Sequence, residues 1–230
     1  MKWRSLEEKT NVDAGMTLAA RLAERCELIA KYVPAETQAA HRRAIEEVRG
    51  TGAEERVLRV GEAAPAFELP DQNGVNVRSA ELLERGPLVV VFLRGRWCPF
   101  CVATVETWNE ALPVVKECGA SLVAISPMAV KHAYFMHDQH KLAFPLLSDA
   151  GNAVARQFGL VYRVPSYQQE IYSKTFVNLP FLNGDSSWEL PMPGTFVIEG
   201  GRVRFASASA DYTERAEPTE VLKELVSRRS

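Results

Sequence analysis

The chain has 230 residues, enough for one large domain or for one domain with an extension. Hydrophobic residues make up 47% and charged residues 24%, as in ordinary globular proteins. Its 27 basic and 29 acidic side chains leave a net charge of −2, and no basic block is present, so nucleic acid is not an expected partner.

The first part, to about residue 58, reads as a helical extension. Leu18, Leu22, Cys26, Ile29 and Val33 recur at helical spacing. Pro34 interrupts the pattern. A second helix is expected from about Ala35, with Ala40, Ala44, Ile45 and Val48 as its apolar stripe and Gly50 and Gly52 at its end. These stripes need cover, either from the main domain or from a second subunit in a homodimer. Cys26 lies on the apolar face and reads as a packed thiol.

The main domain is expected over 59–230. Phe67–Leu69 and Val75–Val77 flank Asp71-Gln72-Asn73-Gly74, a hairpin signal. Ser79 can cap a short helix through Leu83. Leu88–Leu93 is an apolar, β-branched run that reads as a buried strand. A long helix to about Glu117 should follow, kinked at Pro113. Leu122–Ile125 predicts a second buried strand, then a helix over 129–140. Phe144–Asp149 leads to a helix near Gly151. Thr195–Ile198 and Val203–Phe205 flank Gly200-Gly201 as a hairpin, and a last helix covers about 218–227. Strands alternating with helices and closing on a hairpin predict a three-layer α/β domain with a central mixed sheet. The stretch 160–191 fits neither period and reads as an irregular insertion. It is rich in aromatics, and it either packs on the domain edge or forms a flap over the active site.

The residues that carry chemistry are Trp97-Cys98-Pro99-Phe100-Cys101, at the turn from the first buried strand to the long helix. Pro99 suits the first helical position, where a missing N–H costs nothing. Cys98 would then sit at the helix N-terminus, where free N–H groups and the helix dipole favour a thiolate. Arg94 and Arg96 could add positive potential, and Trp97 could shield the pair from water. Two thiols in this spacing are the minimum for thiol–disulfide exchange. A zinc site would need four ligands, and no second C-x-x-C accompanies the first. His132, His137 and His140 read as a solvated face rather than as metal ligands, and Cys118 as a packed thiol. The longest apolar run is too short to span a membrane. The first residues lack the apolar core of a secretory signal, and with only four cysteines a cytoplasmic location is expected.

Gly61–Pro70, Val91–Cys101, Phe144–Asp149, Pro193–Ile198 and Asp211-Tyr212-Thr213 together resemble the peroxiredoxin-like branch of the alkyl hydroperoxide reductase/thiol-specific antioxidant family. The helical extension resembles that branch too. The resemblance implies a thioredoxin-like fold and a cytosolic, thiol-based oxidoreductase with no metal or organic cofactor. The family signature is Pro-x-x-x-Thr/Ser-x-x-Cys. Matched to it, the peroxidatic cysteine falls on Cys101, the threonine on Cys98 and the proline on Arg94. The family's partner arginine, which precedes a late strand, falls on Pro193. In thioredoxin relatives a proline there is cis and faces the cysteines, so Met192–Pro193 is expected to be cis.

Two enzymatic mechanisms can use the pair. In one, Cys101 attacks a hydroperoxide, Cys98 resolves the sulfenic acid, and a thioredoxin-type donor reduces the disulfide. In the other, Cys98, the thiol expected to be more exposed, attacks a substrate disulfide and Cys101 resolves the mixed disulfide. A third reading is a redox-sensing binding protein without turnover.

Overall fold

The structure is a computed structural model and describes residues 17–175 and 177–226. Helices α1 (Leu18–Tyr32) and α2 (Ala35–Gly50) form the extension. A hairpin, β1 (Glu68–Pro70) and β2 (Asn76–Arg78), leads to a short α3 (Ser79–Leu83). The domain continues through β3 (Leu88–Phe92), α4 (Pro99–Glu117), β4 (Ser121–Ser126), α5 (Val130–Gln139), β5 (Leu146–Ser148) and α6 (Ala153–Gln157). Next come β6 (Val161–Arg163), α7 (Ser166–Lys174), α8 (Leu179–Asn183) and β7 (Glu189–Pro191). The chain closes with β8 (Gly194–Glu199), β9 (Arg202–Ala208) and α9 (Pro218–Val226).

The central sheet has five strands in the order β5-β4-β3-β8-β9. β3, β4 and β5 run parallel, whereas β8 is antiparallel to both β3 and β9. This is the mixed sheet of a thioredoxin-like fold, as expected. Alternation along β3 builds the layers, because successive side chains point to opposite faces. Val89 and Val91 join α1, α4 and α9 on one face. Leu88, Val90 and Phe92 join Val48, Phe158 and Phe196 on the other.

The extension packs on its own chain. Leu18 and Leu22 enter the core beside α4, and the buried Arg21 makes a 2.6 Å ion pair with Glu110. The Glu217 carboxylate accepts the N–H groups of Leu18 and Ala19 and so caps α1. Glu110→Gln should therefore loosen α1, because it leaves a buried guanidinium without its counter-charge. We expect a loss of about 1–3 kcal/mol in chemical denaturation. An unchanged midpoint would mean that α1 is held by its apolar face alone.

Several local expectations differ from the structure. Ser79 does not cap α3. Its hydroxyl accepts the Phe67 N–H at 2.9 Å and ties the first hairpin to the domain. Residues 160–191 are not irregular: they pair β6 with β7 and carry α7 and α8 between them. Three-residue strands and helices of nine and five residues are too brief to establish a period. Cys26 is exposed rather than packed. His132 is buried against Phe181, with ring centroids 4.9 Å apart, and His140 pairs with Glu106 on α4 at 2.9 Å. These two histidines serve packing between helices, not a solvated face.

Candidate active site

β3 delivers the thiol pair. Its ladder with β4 extends through Leu93, whose N–H reaches the Ile125 carbonyl at 2.9 Å. The chain then turns through Arg94-Gly95-Arg96-Trp97 into α4. Gly95 has φ +145°, and a Cβ there would lie 2.6 Å from Trp97 Nε1. Only glycine allows both this turn and the close indole. Cys98 is the N-cap of α4 and Pro99 its first residue, as the spacing predicts.

Both thiols are free and almost fully buried. They differ in charge state. Burial opposes ionisation of Cys101, but a hydrogen bond from Cys98, the charge of Arg215, the Arg94 N–H and the Arg94 charge outweigh it. Its pKa falls to about 5. The Arg94 N–H reaches Cys101 Sγ at 3.4 Å, and Arg215 Nη2 lies 3.9 Å from it. Cys98 moves the other way. Burial and its hydrogen bond to Cys101 push its pKa well above the ordinary thiol value. The expectation of a Cys98 thiolate at the helix N-terminus is thus reversed. One proton is shared, and the sulfur with more donors keeps the charge.

Arg94 is completely buried in an aromatic cage. Its guanidinium lies 4.1 Å from the Tyr212 ring centroid and 4.8 Å from that of Trp97, and Nη2 donates to Tyr172 Oη at 2.8 Å. Trp97 in turn packs edge-on to Tyr172, centroids 5.2 Å apart. Arg96 does not join them. Its side chain lies over Phe135 on α5.

Pro193 is not cis. No peptide bond among the described residues is cis. The Met192 N–H bonds the Leu160 carbonyl at 2.8 Å, and the Pro193 carbonyl accepts from Ser209 at 3.3 Å. These bonds carry the chain in extended form from β7 into β8, which a trans bond satisfies. Pro193 lines a cavity of about 320 Å³ together with Thr195 and Arg215.

A second cavity, of about 530 Å³, opens beside the pair. Cys98 forms part of its wall and Cys101 does not. The extension supplies Ile29, Ile45 and His41, and α7 supplies Ile171 and Tyr172. His41 is held by Gln168 at 3.0 Å. Burial and the charge of Arg94 lower its pKa to about 4, so it is neutral at pH 7.

Sequence reasoning missed Arg215 and His41. Arg215 lies 114 positions beyond Cys101 and Gln168 lies 127 beyond His41. No local pattern links such residues.

Residues 60–206 match the AhpC/TSA family. The chain is 32% identical over 120 residues to a Mycobacterium tuberculosis protein provisionally named a peroxiredoxin, covering 52% of this chain and 78% of that one. It is 36% identical over 101 residues to peroxiredoxin Q, chloroplastic, of Oryza sativa subsp. japonica, covering 44% and 46%. Among solved structures, the peroxidoxin BcpB of Mycobacterium tuberculosis superposes with a TM-score of 0.59 at 27% identity, covering 75% of this chain and 99% of that one.

Proposed function

This chain belongs to the AhpC/TSA family, and on that footing we propose that it reduces hydroperoxides with Cys101 as the attacking thiol and Cys98 as its resolving partner. It is an oxidoreductase of the thiol peroxidase type. The assignment of roles rests on one observation: the Cys98 thiol, the Arg94 N–H and Arg215 all converge on the Cys101 sulfur.

The Cys101 thiolate attacks the terminal peroxide oxygen. The S–O bond forms, the O–O bond breaks, and the alkoxide leaves as an alcohol after taking a proton. Cys101 is now a sulfenic acid. Cys98 attacks that sulfur, the S–S bond forms, and water departs with the Cys98 proton. A thioredoxin-type dithiol then attacks the disulfide and leaves oxidised, restoring both thiols. Arg94 and Arg215 hold positive charge at the sulfur where negative charge is stored and then passed to oxygen. They take the place of the signature proline and partner arginine that the chain lacks.

A second reading has a specific observation behind it. Cys98, not Cys101, faces the larger cavity. That favours a disulfide exchanger in which Cys98 is attacked or attacks first. Reduced protein mixed with hydrogen peroxide, an organic hydroperoxide or a model disulfide separates the two. On the peroxidase reading, one equivalent of peroxide converts the peptide carrying Cys98 and Cys101 to a form about 2 Da lighter, as loss of two hydrogens requires. Persistence of two free thiols with peroxide, and rapid oxidation by the disulfide, would make the chain an exchanger. Among the described residues, no helix is long and apolar enough to cross a membrane.

A further inference from the structure

We infer that the cavity between the helical extension and the thiol turn binds a small, anionic, peptide-like thiol, which makes the first reducing attack on Cys98. The inference rests on the reading in which Cys98 and Cys101 close a disulfide, and it concerns how that disulfide is reopened.

Access comes first. Thiol–disulfide exchange requires the attacking sulfur to touch the sulfur it attacks. Cys98 is 1% exposed. Of the pair, Cys98 alone forms part of the wall of the 530 Å³ cavity, so it is the sulfur that an entering thiol meets. Residues of α1, α2 and α7 surround that approach. A cysteine fixed on the face of a protein donor does not follow into such a space. A free thiol compound does, and the volume lies within the range of small-ligand sites, about 300–1,000 Å³.

Charge comes second. The cavity is lined by three cations, Arg42, Arg94 and Lys174, against one carboxylate, Asp211. Arg94 is buried, and its Nε has no hydrogen-bond partner among the described residues. Arg42 on α2 and Lys174 on α7 are exposed, so they stand where the cavity meets solvent. Neither forms an ion pair among the described residues. A ligand matching this arrangement has carboxylates at its outer end and a thiol at its inner end. Its stems lie along Ile29, Ile45 and Ile171, and an ammonium group suits Asp211. A tripeptide thiol such as glutathione has all of these groups. As its sulfur nears Cys98 it meets the Arg94 guanidinium, which favours the reactive thiolate.

The third observation is the leaving group. The entering thiolate attacks Cys98 Sγ. A new S–S bond forms, the Cys98–Cys101 bond breaks, and Cys101 leaves with the electron pair as a thiolate. The thiol of lower pKa leaves faster, and that of Cys101 is about 5. Cys98 then carries the small thiol as a mixed disulfide. The dithiol donor, or a second small thiol, attacks the outer sulfur of that bond. Cys98 leaves and takes a proton. A dithiol donor next closes its own disulfide and frees the small thiol, so the donor ends oxidised and both protein thiols are restored. Arg42, Ile29 and Ile45 precede the family-matched span of 60–206, so the extension supplies much of this site.

The test starts from protein oxidised with diamide and freed of the reagent. Loss of the disulfide is followed by acid quench and intact mass, with reduced glutathione or with dithiothreitol. The parent is compared with Arg42→Ala, Lys174→Ala and the double variant, whose altered side chains are exposed. The rate with glutathione should saturate in the parent. Its ratio to the dithiothreitol rate should fall about threefold in each single variant and about tenfold in the double, the scale of exposed charge pairs. A general effect on folding or on the thiols moves both rates together, so an unchanged ratio overturns the inference. Calorimetry with S-methylglutathione, which cannot exchange, gives a readout free of chemistry. Binding to the parent that weakens in the double variant supports the site, and no binding to the parent overturns it. If peroxide leaves both thiols reduced while the diamide-made disulfide still shows this charge-dependent reduction, the peroxidase reading fails and the site stands.

Discussion

Replacing Cys101 by serine is expected to abolish peroxide turnover, while replacing Cys98 by serine should leave a single oxidation event. The asymmetry follows from the charge states. Cys101 holds the thiolate, with a pKa near 5, and its hydroxyl counterpart would stay protonated in the same surroundings. The expected loss is about a thousandfold or more in the rate of peroxide consumption. Cys98→Ser removes the resolving thiol but keeps a small hydroxyl at the helix N-cap. Cys101 should then react once and stop as a sulfenic acid, which dimedone labels on that peptide. Steady turnover with a dithiol donor should vanish in both variants. The reverse pattern, with Cys98→Ser blocking the first step and Cys101→Ser accumulating mixed disulfides at Cys98, would establish disulfide exchange instead. Circular dichroism on both variants checks that the buried turn still folds.

Arg215→Ala should slow peroxide reduction by about ten- to a hundredfold at pH 7. Loss of one well-placed donor to a developing oxyanion usually costs about a hundredfold or more. Here the contact is long, 3.9 Å, and the Arg94 N–H and the Arg94 charge remain, so a smaller loss than that is expected. The pH dependence identifies the cause. Only the thiolate reacts with an alkylating agent, so in the parent the Cys101 rate should rise through pH 5 and then level off. Removing a positive charge destabilises the thiolate and raises its pKa. The rise must therefore move to higher pH in Arg215→Ala. Arg215→Lys should bring it part of the way back, because a point charge restores the attraction without the planar fork. An alkylation profile identical to the parent's would remove Arg215 from the site, whatever the change in turnover.

Gly95, two residues before Trp97, and the cage around Arg94 explain how two thiols can be differently charged in so small a space. Gly95 lets the indole fold back against the turn. Tyr172 and Tyr212 then cover the guanidinium from α7 and from the segment before α9. The cation is kept from water, so its field acts at short range on both sulfurs. The cage also couples the active site to the extension, since the His41 ring lies 5.9 Å from Tyr172 and 6.3 Å from Tyr212.

The linear pattern was sufficient for the parts of this protein that depend on near neighbours. The apolar run of β3, Pro99 at the first position of α4 and the Cys98–Cys101 spacing located the strand-to-helix turn on which the proposed chemistry rests, because periodicity and helix capping act over a few residues. The glycine pair between β8 and β9 and the apolar stripes of α1 and α2 were legible for the same reason. What the turn does with its proton was not. The N-cap position argued for a Cys98 thiolate, yet the charge resides on Cys101, because Arg215 and the Arg94 N–H reach that sulfur only after the chain has closed around it. Likewise the thioredoxin pattern argued for a cis Pro193, and the hydrogen bonds of Met192 and Pro193 hold an extended trans segment instead. His132, buried under Phe181, and Cys26, exposed at the cavity, were misplaced by helical spacing. Spacing assigns a face to each residue but cannot say what later segments will cover it. Electrostatics and burial are sums over every group within a few ångströms, and in this protein those groups come from α2, the β3–α4 turn, α7 and the segment before α9, which only the folded chain brings together.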